Sequence, residues 1–183
     1  MRKLIIIVIL MAGLLLPSCA VPEPDRLLWQ TYPFVFGADA EIGGSRYVLR
    51  GEAGSEFLKI SFSEPSQLAG FVFTVPYDGG NILVTYGELS FSCGEAGYDT
   101  GLASIARLFS LKRDDFIGAD LMKISGMTLN TTDFSVEGGH VRVFVSPDTG
   151  LPCRFEGEIH GNPVTLNITS FEYETEYETT EKK

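Results

Sequence analysis

The chain has 183 residues and a formal net charge of −10, with 14 Lys and Arg against 24 Asp and Glu. Beyond Arg2 and Lys3 its basic residues stand singly, except for Lys112-Arg113 and the terminal Lys182-Lys183, so the clustered cations that attract a phosphate backbone are missing and no nucleic acid partner is expected. Its length suits one domain, and 13 Phe with 7 Tyr supply material for a sizeable core.

The N-terminus sets the expected location. Arg2 and Lys3 precede the apolar stretch LIIIVILMAGLLL and a Pro-Ser-Cys stop, the layout of a secretory signal peptide. From Leu4 to Leu16 there are thirteen apolar or small residues, whereas a membrane-spanning helix needs about 20. Leu16, Pro17, Ser18 and Cys19 resemble a bacterial lipobox, which makes the Cys19 thiol the expected lipidation point (palmitate-type acyl chains) and residues 1–18 a lipoprotein signal peptide. Each buried methylene of such a lipid contributes about 0.8 kcal/mol to membrane binding. Without residues 1–18 the chain keeps 12 basic and 24 acidic residues, a charge of −12. The expected location is extracytoplasmic, lipid-anchored to the cell membrane. Ala20 follows Cys19 in place of an aspartate that retains lipoproteins at the inner membrane, so in a host with an outer membrane that membrane is the expected destination.

Residues 19–30, CAVPEPDRLLWQ, read as a tether, with LLW at its junction with the domain. A single β domain is expected over 31–176. In FVFGADAEI, Phe34, Phe36, Ala38, Ala40 and Ile42 share one face opposite Asp39 and Glu41, and Gly43-Gly44 turns the chain into SRYVLRG. The same alternation recurs in EFLKISFS, GFVFTV, ILVTY and ELSFS, separated by Gly-rich turns, which is the pattern of antiparallel strands with one buried face. It breaks at DTGLASIARLFSL, where Leu102, Ile105, Ala106 and Phe109 follow helical spacing, with Asp99 or Thr100 placed to cap; a helix is predicted over 100–111. KRDDFIGADLMKISG fits either a second short helix or a strand, with Asp114 and Asp115 capping or solvating a helix start. Alternation resumes in DFSVEGGHVRVFVS, LPCRFEGEIH and PVTLNITSFEYE, and residues 177–183 read as a disordered acidic tail. The plan is mainly β (α+β): six strands, a helical interlude and about four more, curled into an open or partly closed barrel because the apolar face is too aromatic to leave wet.

No catalytic pattern is present: the sequence has no G-x-S-x-G, no phosphate-binding loop, no H-E-x-x-H and no calcium loop. Neither cofactor nor metal is expected, and the chain reads as a non-enzyme. His140 and His160 sit at Gly-rich turns and read as exposed turn residues. Glu172, Glu174, Glu176 and Glu178 alternate along what reads as an edge strand, a device that discourages strand addition. Cys93 and Cys153 both fall on the apolar phase of their strands; in an exported protein a disulfide between them and two separate buried thiols fit that phase equally.

VRVFVSPDTGLPCRFEGEIHGNPVTLNITSFEYE resembles the closing module of LolA/LolB-like proteins of the lipoprotein-carrier superfamily, in which a strand ending in a D-P-x-T-G-L-P type turn precedes a long strand, a turn and a final strand. FGADAEIGGSRYVLRG, FLKISFSEPSQLAGFVFTV and ILVTYGELSFS are similar to the opening half of related small lipoproteins. The resemblance implies an open antiparallel half-barrel of about 9–11 strands, with one or two helices between its halves shielding a concave face that takes up acyl chains or other apolar groups. Phe34, Phe36, Leu58, Ile60, Phe62, Phe71, Phe73, Leu89, Phe91 and Phe155 are the candidate lining of such a face; packing against one another and the helix accounts for the same residues. The expected partners are the membrane, through the N-terminal lipid, and a lipid or acyl ligand. A scaffold or sensor domain that binds an envelope protein or cell-wall polymer is the alternative.

Overall fold

The computed structural model describes residues 27, 29–95 and 101–174. Cys19, the cap positions Asp99 and Thr100, and the acidic tail lie outside them. Among the described residues no helix is long and apolar enough to cross a membrane.

Among the described residues, eleven strands and one α-helix follow in chain order. The first six are β1 (Phe34–Ile42), β2 (Ser45–Ala53), β3 (Phe57–Glu64), β4 (Phe71–Pro76), β5 (Asn81–Tyr86) and β6 (Leu89–Glu95). The helix α1 (Gly101–Phe109) separates them from β7 (Phe116–Ile124), β8 (Met127–Val136), β9 (Gly139–Val145), β10 (Pro152–Ile159) and β11 (Asn162–Tyr173). They form one antiparallel sheet in the order β6-β5-β4-β3-β2-β1-β11-β10-β9-β8-β7, open at β6 and β7. Every neighbouring pair except β1 and β11 is also consecutive in sequence, so hairpins build each half and the pairing of the first strand with the last joins them. Register shifts interrupt five of the ladders. Such bulges bend the strands that carry them and help an open sheet curl.

Alternation decides which face is inner. Phe34, Phe36, Ala38 and Ala40 are buried while Asp39 and Glu41 are exposed. Carried along the ladders, this phase makes an inner face of Ala53 and Leu49, Leu58, Ile60 and Phe62, Val75, Val84, Phe155, Val143 and Leu166. All of these are buried in one cluster with α1, which packs against β3, β4 and β11. Phe36 lies over Gly51, where any Cβ would overlap its ring. The glycine thus sets how close the aromatic layer approaches the sheet.

One open alternative resolves and two sequence expectations change. KRDDFIGADLMKISG forms no second α-helix: a single 3-10 turn over Arg113–Asp115, in which the Lys112 amide donates to Asp115 Oδ2 at 3.0 Å, leads into β7. The local pattern fits either state, and pairing with β8 supplies backbone hydrogen bonds that a helix on the sheet edge would leave unused. The strand carrying Glu172 does not end the sheet, since β11 pairs with β1 throughout and with β10 over Asn162–Asn167; Glu172 itself, past Asn167, is paired on the β1 side alone, and the strands at the ends of the sheet are β6 and β7. The core also starts before residue 31, because Trp29 is buried and Leu27 packs beside it.

Trp29 fills the middle of the half-barrel. Its ring meets Phe155 at 5.5 Å, Phe34 at 6.2 Å and Phe109 at 6.3 Å, all edge to face. Tyr32 then donates its hydroxyl to the Phe109 carbonyl at 2.7 Å, and Gln30 Nε2 donates to the same oxygen at 3.3 Å. A helix leaves its last carbonyls without partners, so this strap ties the C-terminal end of α1 to β1. Burial, offset in part by the neighbouring Tyr77 hydroxyl, pushes the Tyr32 phenol from 10.0 to about 12. An acid held protonated in the fold stabilises it fully below the unfolded value and loses that contribution as pH rises through the folded one. The urea midpoint should therefore fall between pH 10 and 12 more steeply in the wild type than in Tyr32→Phe. Equal slopes would show that Tyr32 does not titrate as described.

Candidate functional site

The inner face is not filled evenly. Of the ten apolar residues expected to line a cavity, Phe34, Phe36, Leu58, Ile60 and Phe155 are fully buried against Trp29, Phe109 and one another. They form the solid floor of the half-barrel and line no open space. Phe62 and Phe73 do line one. Between the first turns of α1 and strands β1 to β4 lies a cavity of about 300 Å³. Tyr47, Phe62 and Phe73 form its wall, Ile42 and Leu68 its ends, and Gly101, Leu102 and Ile105 its roof. A cavity of this size is at the lower end of the roughly 300–1,000 Å³ of small-molecule sites.

The roof follows from helix geometry. Leu102 and Ile105 sit three apart and share one face, and Gly101 comes close enough to Ile42 that an added Cβ would be 3.0 Å from its Cγ2. The wall follows from the sheet register, since Phe62, Phe73 and Tyr47 belong to the inner phase of three successive strands. Their rings form a path: Tyr47 to Phe62 is 5.5 Å, Phe62 to Phe73 is 5.7 Å, Phe73 to Phe71 is 6.3 Å and Phe71 to Tyr86 is 4.7 Å. The path leads out of the cavity onto a strip that α1 does not cover. Tyr86 pairs with Leu89, and Val84 with Phe91, so these side chains share the inner face. Yet Tyr86, Leu89 and Phe91 are 50%, 68% and 47% exposed. Leu89 and Phe91 are thus surface residues: on β5 the inner face is buried at Val84 and open at Tyr86, and on β6 beyond it these two side chains are left uncovered.

The two cysteines are not bridged. Cys93 is an exposed free thiol on β6, and Cys153 is a half-buried free thiol on β10 that donates to the Phe144 carbonyl at 3.4 Å. Six strands stand between them in the sheet, and each lies at a register shift that takes it out of the regular alternation. Burial pushes the Cys153 thiol above its ordinary value. Among the described residues no three His, Cys, Asp or Glu side chains are grouped to hold a metal ion.

The sequence reading misses the roof and the ends of the cavity. Leu102 and Ile105 are visible as a helix face, but the space beneath them depends on which strands α1 crosses. Fold and cavity together define the class: an open antiparallel half-barrel with a helix across its inner face and an apolar space beneath the helix. One solved structure shares this fold and others are similar to it. An uncharacterized conserved protein from Thermus thermophilus is 12% identical, with 82% of this chain and 85% of that chain covered and a TM-score of 0.50. The lipoprotein LppX from Mycobacterium tuberculosis is 11% identical, covering 82% and 92% at a TM-score of 0.46. A LolA superfamily protein from Nitrosomonas europaea is 12% identical, covering 78% and 86% at 0.46. At these identities the likeness is one of fold. No family model and no curated protein matches the sequence.

Proposed function

We propose that the chain is an extracytoplasmic lipoprotein, anchored through a lipid on Cys19, that takes up a single acyl chain or a similar apolar group beneath α1 and performs no catalysis. The observation that carries this reading is the cavity of about 300 Å³ whose lining is aromatic and aliphatic and which is continuous with an uncovered apolar strip. Folded proteins seldom leave contiguous apolar surface open without a use for it. The strap from Gln30 and Tyr32 holds the C-terminal end of α1. A ligand would enter at the opposite end of the helix, where Gly101 and Leu102 border the cavity.

A fluorescent fatty acid probe tests the reading. Leu102→Glu sets a carboxylate in the cavity roof on a half-buried helix position that accepts glutamate, and uptake should fall at least about ten-fold. Leu83→Glu, on the outer face of β5, should leave it unchanged. If the wild type takes up no probe and an organic extract of the protein contains no lipid by mass spectrometry, the reading is wrong. The scaffold alternative would engage a partner through β6 or β7, and a reproducible protein cross-link on intact cells without bound lipid is the result that favours it.

A further inference from the structure

On the other flank of α1 lies a second recess, and its chemistry is polar. Arg107 and Ser110 come from the helix end, Tyr77 from the turn after β4, Glu137 from the β8–β9 turn and His160 from the β10–β11 turn. These positions are far apart in sequence and meet in the fold beside the C-terminal half of α1. The enclosed space is about 20 Å³ and opens to solvent. It has room for something the size of one water molecule or of a carboxylate head group, not for a whole metabolite.

Among the described residues, two donors here find no close acceptor within the protein. Arg107 Nε is buried without a hydrogen-bond partner, and the buried Tyr77 hydroxyl, although it neighbours that of Tyr32, makes no well-formed hydrogen bond with it. A guanidinium N–H only donates, and buried polar groups in folded proteins are nearly always satisfied, so such a pair calls for an explanation. Glu137 shares the recess, yet no ion pair joins it to Arg107. Its side chain is exposed, where water and salt screen its charge. The Arg107 Nε is withdrawn from solvent, where a charge acts more strongly. Burial first, and Tyr32 second, push the Tyr77 phenol well above its ordinary value, so it remains an O–H donor at any physiological pH. The ring of His160 lies over Gly138, whose missing Cβ leaves it space, and this closes one side of the recess.

We propose that this recess binds the carboxylate of a monoanionic ligand, with one oxygen accepting from Arg107 Nε–H and the other from the Tyr77 hydroxyl, and with Glu137 at the rim disfavouring dianions such as phosphate. The site is separate from the apolar cavity, which lies under the Leu102 and Ile105 face, and it does not depend on that cavity being occupied.

The experiment is a titration of the purified, isotopically labelled protein with sodium acetate, read at the Arg107 Nε–Hε resonance by NMR. A saturable shift is expected with acetate, and none with acetamide at the same concentrations. Tyr77→Phe should weaken acetate binding about ten-fold, the effect of one hydrogen bond to a charged group. Arg107→Gln should abolish it while the amide spectrum shows an intact fold. Dodecanoate and the dipeptide Ala-Ala then separate the two sources of such a group. Whichever binds more tightly than acetate, and loses that advantage in Arg107→Gln, identifies a fatty acid or a peptide terminus as the donor of the carboxylate. An Arg107 resonance unmoved by acetate, an equal response to acetamide, or acetate binding that survives both substitutions overturns the proposal. Dodecanoate binding that survives Arg107→Gln while acetate is silent belongs to the apolar cavity and overturns it as well.

Discussion

Cys19→Ala is expected to leave the protein as an unprocessed precursor that keeps LIIIVILMAGLLL, runs heavier than the wild type and incorporates no radiolabelled palmitate. The effect is close to all or none, because on the proposed reading the lipid is carried by this one thiol. A cysteine that merely packed in a core would behave differently, since losing its Sγ would cost about 1 kcal/mol through a small cavity and leave the location unchanged. Fractionation and palmitate labelling of the two proteins separate these cases in one experiment. Normal processing of Cys19→Ala, together with no label in the wild type, would remove the lipoprotein assignment and with it the membrane side of the proposed function. Uptake beneath α1 would still stand or fall on the fatty acid probe.

The strands are legible in the sequence for a simple reason: Phe34, Phe36, Ala38 and Ala40 alternate with polar residues, and a sheet with one buried face needs that alternation. The helix α1 is legible for the same kind of reason, with Ile105, Ala106 and Phe109 on its buried side. Depth is not legible. Phe34 and Leu89 occupy the same phase, yet one is fully buried and the other 68% exposed. The difference is whether α1 passes over the strand, and nothing local to FVFG or ELSF encodes where the helix will lie. FIGADLMKI is ambiguous because its apolar residues satisfy both periods, so only the tertiary partner β8 selects the strand. The polar recess is invisible for a further reason. Tyr77, Glu137 and His160 each resemble an ordinary residue of a Gly-rich turn, and only the curl of the sheet sets them around Arg107.

Phe109→Ala should be the most destabilising single change among the described residues of the helix. Its ring is fully buried and contacts Trp29, Phe34, Phe36 and Phe155, with centroids 4.3 Å apart at Phe36 and 5.1 Å at Phe155. Truncating a buried Phe costs about 3–5 kcal/mol, a large part of the roughly 5–15 kcal/mol typical of a domain. The site cannot easily collapse, because Trp29 and Phe155 are held on other elements and the strap fixes the Phe109 carbonyl in place. Phe91→Ala, on the same sheet face but 47% exposed, should cost under about 0.5 kcal/mol. Urea midpoints of the two variants test the contrast. A double-mutant cycle with Phe36→Ala should return a coupling of about 0.5–1.5 kcal/mol for the stacked pair. If Phe109→Ala unfolds at the wild-type midpoint, α1 is not docked on the inner face, and the roofed cavity does not exist in solution.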